Sequence, residues 1–313
     1  GEVNGKTGVW GHAVGGMGAI TQAMAGAARE AGAEIRPDAG VEEVIVANGR
    51  VGGVRLTSGE VVRSRAVAAN VGPKHLFRNL VPPNAVPGEV RCAFLSQKTG
   101  SGTFRVNVAL SELPDFTCLP TKGGAAGAHH GAGIVIGPSL EYLERAYLDA
   151  RSHGWSREPV VEMLIPSTLD STLAPDGRHV ASLFVQHVAP HLPAGRSWAD
   201  GRERQAFADV VIETVNRHAP NFKQSVIARQ ILSPLDLEER FGLVDGDIFH
   251  GQMGLDQLFS SRPVLGYADY RMPVGGLYLC GAGAHPGGGV TGLPGRNAAR
   301  EILRDMRGWM GRI

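Results

Sequence analysis

Cysteine is scarce: the 313 residues hold only Cys92, Cys118 and Cys280, with no C-x-x-C pair and no even set. That excludes a disulfide framework and leads us to expect a reducing compartment, cytoplasmic or, in a eukaryote, the mitochondrial matrix. A surplus of charge is missing too, since 31 Lys and Arg stand against 30 Asp and Glu. No polybasic face is left to hold a nucleic acid. No apolar run reaches the ~20 residues of a membrane-crossing helix, so any membrane contact is expected to be peripheral. There is no G-x-S-x-G and no cysteine beside a motif histidine, which removes the familiar nucleophile arrangements. His129, His130, His153, His179, His187, His191 and His218 lack a carboxylate or cysteine partner at ligand spacing, and no metal site is expected. Gly15-Gly16-Met17-Gly18 with Glu34 downstream mimics a dinucleotide fingerprint, but no Val/Ile-rich strand precedes it, so it is not read as one.

Apolar residues make up 43% of the chain and 44 residues are glycine. The first figure is ample for a core, the second signals many tight turns, and the length suits two domains or one with an insertion. The glycines crowd most densely after Pro273. There a short apolar run, Gly276 to Cys280, reads as a buried strand. Gly281, Gly283, Gly287, Gly288, Gly289, Gly292 and Gly295 follow, and from Thr291 the residues become helix-forming. Strand, glycine loop and helix together aim free backbone N–H groups at an anionic or electron-rich ligand. Glycine also lets a ligand ring lie against bare backbone.

The run CGAGAHPGGGVTGLPGRNAA resembles the C-terminal flavin-binding signature of the phytoene-desaturase-like branch of FAD-dependent oxidoreductases. The resemblance implies an FAD cofactor, with Gly281, Ala282, Gly289, Val290, Thr291 and Gly292 along the flavin and ribityl chain. It further implies adenine contact by the backbone at Val44 and a place near the diphosphate for Asn70. The implied chemistry is hydride transfer between flavin N5 and a small apolar substrate, isoprenoid or lipid-like. Flavin carries such chemistry and the protein orients the substrate. Amine oxidation is the nearest rival, and a non-catalytic scaffold of the same fold is the alternative from another class. The stretch Gly242 to Pro263 resembles a block just upstream of the flavin loop. Its His250, and His285 in the loop itself, are the candidate catalytic residues, each with a purely structural loop role as the competing reading.

The expected fold is α/β, α+β overall. A partial FAD-binding, Rossmann-like domain with a β-meander is joined by an inserted substrate domain of mostly antiparallel sheet covered by helices. Residues 1–75 are read as helix, strand, meander and strand of the FAD domain. The helix has Ile20, Met24, Ala27 and Ala31 at helical spacing, facing a sheet. Ala33 to Arg36 is read as a strand, and Asn48-Gly49 as a hairpin turn. Residues 76–270 form the substrate domain, with strands near 103–110, 133–136, 160–165, 180–188 and 226–232. One of its helices is capped by Ser139 with Leu140, Leu143 and Tyr147 inward. Another, from Asp200 to His218, turns Phe207, Val210, Val211 and Val215 inward. Residues 271–313 complete the FAD domain.

In the family an N-terminal βαβ unit carries G-x-G-x-x-G, and no stretch here supplies it. The sequence is therefore expected to be the C-terminal portion of a longer protein, whose missing segment is its first partner. Alone, it is expected to bind FAD weakly, to be inactive, and to form homo-oligomers through apolar surface around Ile20, Met24 and Val67.

Overall fold

The computed structural model describes residues 2–3, 5–8, 11–121 and 125–310. In chain order its first elements are β1 (Glu2–Val3), β2 (Lys6–Thr7), α1 (Met17–Glu30), β3 (Val41–Ala47), β4 (Arg50–Leu56), β5 (Val61–Arg63) and β6 (Val67–Ala69). Then come α2 (Pro73–His75), α3 (Gly88–Leu95), β7 (Phe104–Leu110), β8 (Ile134–Ile136), α4 (Leu140–His153), β9 (Val161–Leu164) and β10 (His179–Val185). The last are α5 (Gly201–Asn216), α6 (Phe222–Ser225), β11 (Val226–Leu232), α7 (Pro234–Phe241), β12 (Leu277–Leu279) and α8 (Leu293–Met310). Helix and open sheet are mixed, as expected. The chain divides into one unit of Gly1–Arg36 with Phe104–Ser233 and another of Pro37–Thr103 with Pro234–Ile313. This division differs from the segments 1–75, 76–270 and 271–313 read from the sequence. Leu76, Phe77 and Phe94 pack in one core with Leu277 and Leu279, which draws the region after residue 75 into the second unit.

In the first unit the strands form an antiparallel sheet in the order β11-β7-β10-β9-β8. Along β7 burial alternates, with Phe104, Val106, Val108 and Leu110 inward, the period of a strand with one covered face. Helix α5 covers that face, Phe207 meeting the Phe104 ring at 4.7 Å. Each such side chain, fully buried, stabilises the fold by about 1.5–3 kcal/mol. Asp200 caps α5 by accepting the Arg202 N–H at 2.9 Å. Helix α4 begins where Ser139 Oγ accepts the Tyr142 N–H at 3.1 Å. Its buried face is not the expected one. Tyr142, Ala146 and Ala150 point inward while Leu140 is 79% exposed. The Tyr142 hydroxyl donates to Pro159 O at 2.9 Å, and this polar anchor with two small alanines decides the helix rotation.

One expectation for the N-terminal region fails: residues 33–36 are irregular and exposed rather than a strand. Helix α1 forms as expected and buries no residue, leaving Ile20 and Met24 as the exposed apolar surface expected of this chain on its own. The stop itself is as expected: Gly32 has φ 87°, and the Ala33 N–H donates back to Ala28 O at 2.9 Å, the αL helix ending that glycine favours.

In the second unit β3, β4 and β5 form the antiparallel meander. Asn48 and Gly49 sit at φ 50° and 72°, the double positive φ of a tight hairpin. Strands β6 and β12 pair in parallel, Leu277 opposite Val67 and Leu279 opposite Ala69. The meander joins this pair through Gly275, whose N–H donates to Gly49 O and whose carbonyl accepts from Val51, both at 2.9 Å.

Candidate functional site

Strands β6 and β12 run the same way, so their carboxyl ends, at Asn70 and Gly281, lie side by side. That end of a parallel pair is where open α/β sheets bind ligands. Gly281 has φ 86°, and a Cβ there would stand 1.7 Å from Asn70 Oδ1. Only glycine lets the chain leave the strand at this point. Two residues later a Cβ on Gly283 would meet Pro73 Cδ at 2.6 Å.

What holds the loop is a residue that sequence reading passed over. Arg262 is fully buried, yet its guanidinium faces carbonyls rather than a carboxylate. Its Nη2 donates to Phe249 O at 2.6 Å and Ala282 O at 2.7 Å, and its Nε to Ala282 O at 3.2 Å. Longer bonds of 3.4 Å reach Gly251 O and Gln257 O. One side chain thus clips the loop to the segment around residues 249–257. Asp247 supports the same segment, its buried carboxylate accepting N–H groups of Gly100 at 2.9 Å and Phe249 at 2.8 Å. Burial pushes the Asp247 pKa up and the Arg262 pKa down, and each charge opposes the other's shift. A buried arginine in Ser261-Arg262-Pro263 gives no periodic signal; only the many carbonyls of a glycine loop needing donors hint at it.

The loop's far end is pinned differently. Asn297 Nδ2 donates to the Tyr270 hydroxyl at 2.8 Å, which donates to His285 O at 2.9 Å. Further along α8, Arg271 spans Asp305 at 2.8 Å and Glu301 at 2.6 Å, and the Tyr278 hydroxyl donates to Asp305 at 2.8 Å. Thr291 Oγ1 accepts the Leu293 N–H at 3.2 Å where the helix begins.

The expected site residues are therefore distributed unevenly. Asn70, Gly281 and Ala282 gather at the strand ends, the last two half-buried. Gly289, Val290, Thr291 and Gly292 are exposed just before α8; Val290 is 81% exposed and at φ 55° despite its branched side chain. Val44 is at the middle of β3, its side chain in the core and its strand at the edge of the meander. His250 and His285 each carry a buried Nδ1 with no hydrogen-bond partner among the described residues. Burial, with Arg262 beside it, holds the His250 pKa below the usual imidazole value. His250 also lines a small cavity with Gly72, Lys74, Thr99, Val244 and Asp247. Bare backbone at 289–292 and two orphaned imidazole nitrogens fit a flat heteroaromatic ligand with polar edges.

No protein-family model matches the chain. Over 310 residues it is 44% identical to the pyridine nucleotide-disulfide oxidoreductase domain-containing protein 2 of Rattus norvegicus, covering 98% of this chain and 53% of that protein. Over 295 residues it is 30% identical to the lycopene-forming phytoene desaturase of Pseudescherichia vulneris, covering 91% of this chain and 54% of the enzyme. The chain spans about half the length of the curated relatives it matches. In fold it is similar to the crystal structure of an oxidoreductase from Methanosarcina mazei, with TM-score 0.61, 16% identity, and coverage of 93% of this chain and 55% of that one. No helix among the described residues is long and apolar enough to cross a membrane. Over nearly its whole length the chain is therefore similar in sequence to the pyridine nucleotide-disulfide oxidoreductase domain-containing protein 2 and to phytoene desaturases, and in fold to an oxidoreductase.

Proposed function

We propose that this chain provides the flavin-side loop and a substrate-binding sheet of an FAD-dependent oxidoreductase acting on an apolar, isoprenoid or lipid-like substrate. The observation that carries this is the pair of parallel strands ending at Asn70 and Gly281, followed by a glycine loop and the long helix α8. FAD, when bound, supplies hydride transfer at N5. Gly281 and Ala282 give the ring a bare strand end, while Gly289, Val290, Thr291 and Gly292 present backbone N–H groups to its polar edge. Asn70 serves the diphosphate side, and the open edge of β3 at Val44 serves the adenine. His250, kept neutral by burial, can hold a proton at Nδ1; His285 orders the loop through its carbonyl.

The test is flavin retention. The whole protein, reconstituted with FAD and desalted, is expected to stay yellow, and Gly292→Val to release the flavin while keeping the far-UV circular dichroism of the parent. A protein that folds and cannot be reconstituted would overturn the reading.

A further inference from the structure

The five-stranded sheet has one face explained by packing and one that is not. Register fixes what lies on the second. One row across the strands reads Leu232, Arg105, Phe184, Glu162, Val135, and the next reads Gln230, Asn107, Ser182, Leu164. These positions alternate with Phe104 and Val106, which face α5.

Arg105 is the unusual member. Its Nη1 donates to Ser182 Oγ at 2.8 Å, Ser182 donates to Asn107 Oδ1 at 2.8 Å, and Asn107 Nδ2 donates to Gln230 Oε1 at 3.1 Å. The guanidinium lies 5.4 Å from the Phe184 ring centroid. A guanidinium has five N–H donors, and here a single protein acceptor engages it among the described residues. No ion pair joins it to a carboxylate of those residues. Glu162, the acid on the same face, accepts instead from Gln186 Nε2. Burial lowers the Arg105 pKa, with Glu162 only partly offsetting it, the mark of a cation short of acceptors. The polar row holds the fork in place, which is costly unless something uses it. Beside it stand apolar side chains, among them Leu164, 56% exposed, and Val135, 63% exposed.

We propose that this face binds an amphipathic carboxylate, with the Arg105 fork taking the carboxylate and Phe184, Leu164 and Val135 lying along the apolar body. A planar fork suits a planar carboxylate in two parallel bonds. A phosphate would call for a second cation, and neither row contains one, while Glu162 disfavours a dianion. The proposal rests on the reading above only in treating this sheet as the substrate's; the binding itself does not require flavin.

Calorimetric titration of the whole protein with dodecanoate, below its micellar concentration, tests this. Dodecanoate is expected to bind, and dodecan-1-ol and dodecylammonium to bind more weakly. Arg105→Gln is expected to weaken dodecanoate by about 10- to 100-fold, the loss of charge-assisted hydrogen bonds, while leaving dodecan-1-ol unchanged. Arg105→Lys should fall between. Should Arg105→Gln fail to fold by circular dichroism, Ser182→Ala, which keeps the cation and removes the group that orients it, is expected to weaken dodecanoate several-fold. Absent dodecanoate binding, equal affinity in wild type and the folded variants, or tighter binding of dodecylammonium would overturn the proposal. Because no signal depends on flavin, a protein that fails to take up FAD leaves these outcomes readable.

Discussion

Replacing Arg262 by methionine keeps the stem's bulk and removes the clip. Two carbonyls, Phe249 O and Ala282 O, lose donors at 2.6 and 2.7 Å in a fully buried setting. Leaving a buried acceptor unsatisfied costs about 1–3 kcal/mol, so the two together cost roughly 2–6 kcal/mol. Removing a desolvated cation offsets part of that, and the net expectation is a loss of about 2–4 kcal/mol. Against a total stability of about 5–15 kcal/mol this is large. The loss should be local before it is global, because the bonds join two loops and no strand. Native-state hydrogen exchange is expected to show amides of 281–288 and 249–252 speeding up together in Arg262→Met, ahead of those in β7 and β10. Arg262→Lys should recover only part, since one ammonium cannot span both carbonyls at the guanidinium's spacing. A stability change within about 0.5 kcal/mol, the range of an ordinary surface substitution, would refute the reasoning, as would uniform acceleration across both units.

Gly281→Ala is expected to destabilise the second unit through its clash with Asn70 Oδ1, and Asn70→Gly in the same chain to restore most of it; urea unfolding measures both. Gly292→Ala meets nothing within 4 Å and should cost only the strain of its φ of 69°, about 1–2 kcal/mol. His250 has a folded pKa below its unfolded value of about 6.5, so its stabilising contribution is present above that pH and lost as pH falls through the lowered value. His250→Gln is expected to flatten the stability profile below about pH 6.5, and an unchanged profile in urea melts would exclude His250 as the source. Asp305, held low chiefly by its hydrogen bonds with Arg271, contributes stability above the ordinary aspartate pKa of about 3.9, lost as pH falls through the depressed value. Asp305→Asn should therefore remove acid sensitivity from the anchoring of α8, read by exchange of its amides.

The antiparallel sheet was legible because each strand has one covered face, so β7 alternates in sequence as it does in burial. The hairpin at Asn48-Gly49 and the caps at Ser139 and Asp200 were legible because a few local atoms decide them. The rotation of α4 was not. Its Leu140, Leu143, Tyr147 stripe and its Tyr142, Ala146, Ala150 stripe fit the helical period equally, and the choice rests on Pro159, a residue outside the helix. The loop's existence could be read from its glycines, but not its anchoring. Arg262, Tyr270 and Asn297 act through carbonyls and hydroxyls brought together only by folding. In α1 the helical spacing reports what the helix could cover and not what is there to be covered, and none of its residues is buried.

Between the hydrogen bond at His285 and the one at Asn297, the longest run of exposed residues ahead of α8 is Gly289, Val290, Thr291 and Gly292. Ordering a free residue costs roughly 1–2 kcal/mol of backbone entropy. A ligand settling on this run therefore meets a loop whose two ends are already tied down, and part of the ordering cost has been met in folding. Glycine content, usually taken as a measure of slackness, here marks close approach: Gly281, Gly283 and Gly288 are packed against Asn70, Pro73 and Phe249.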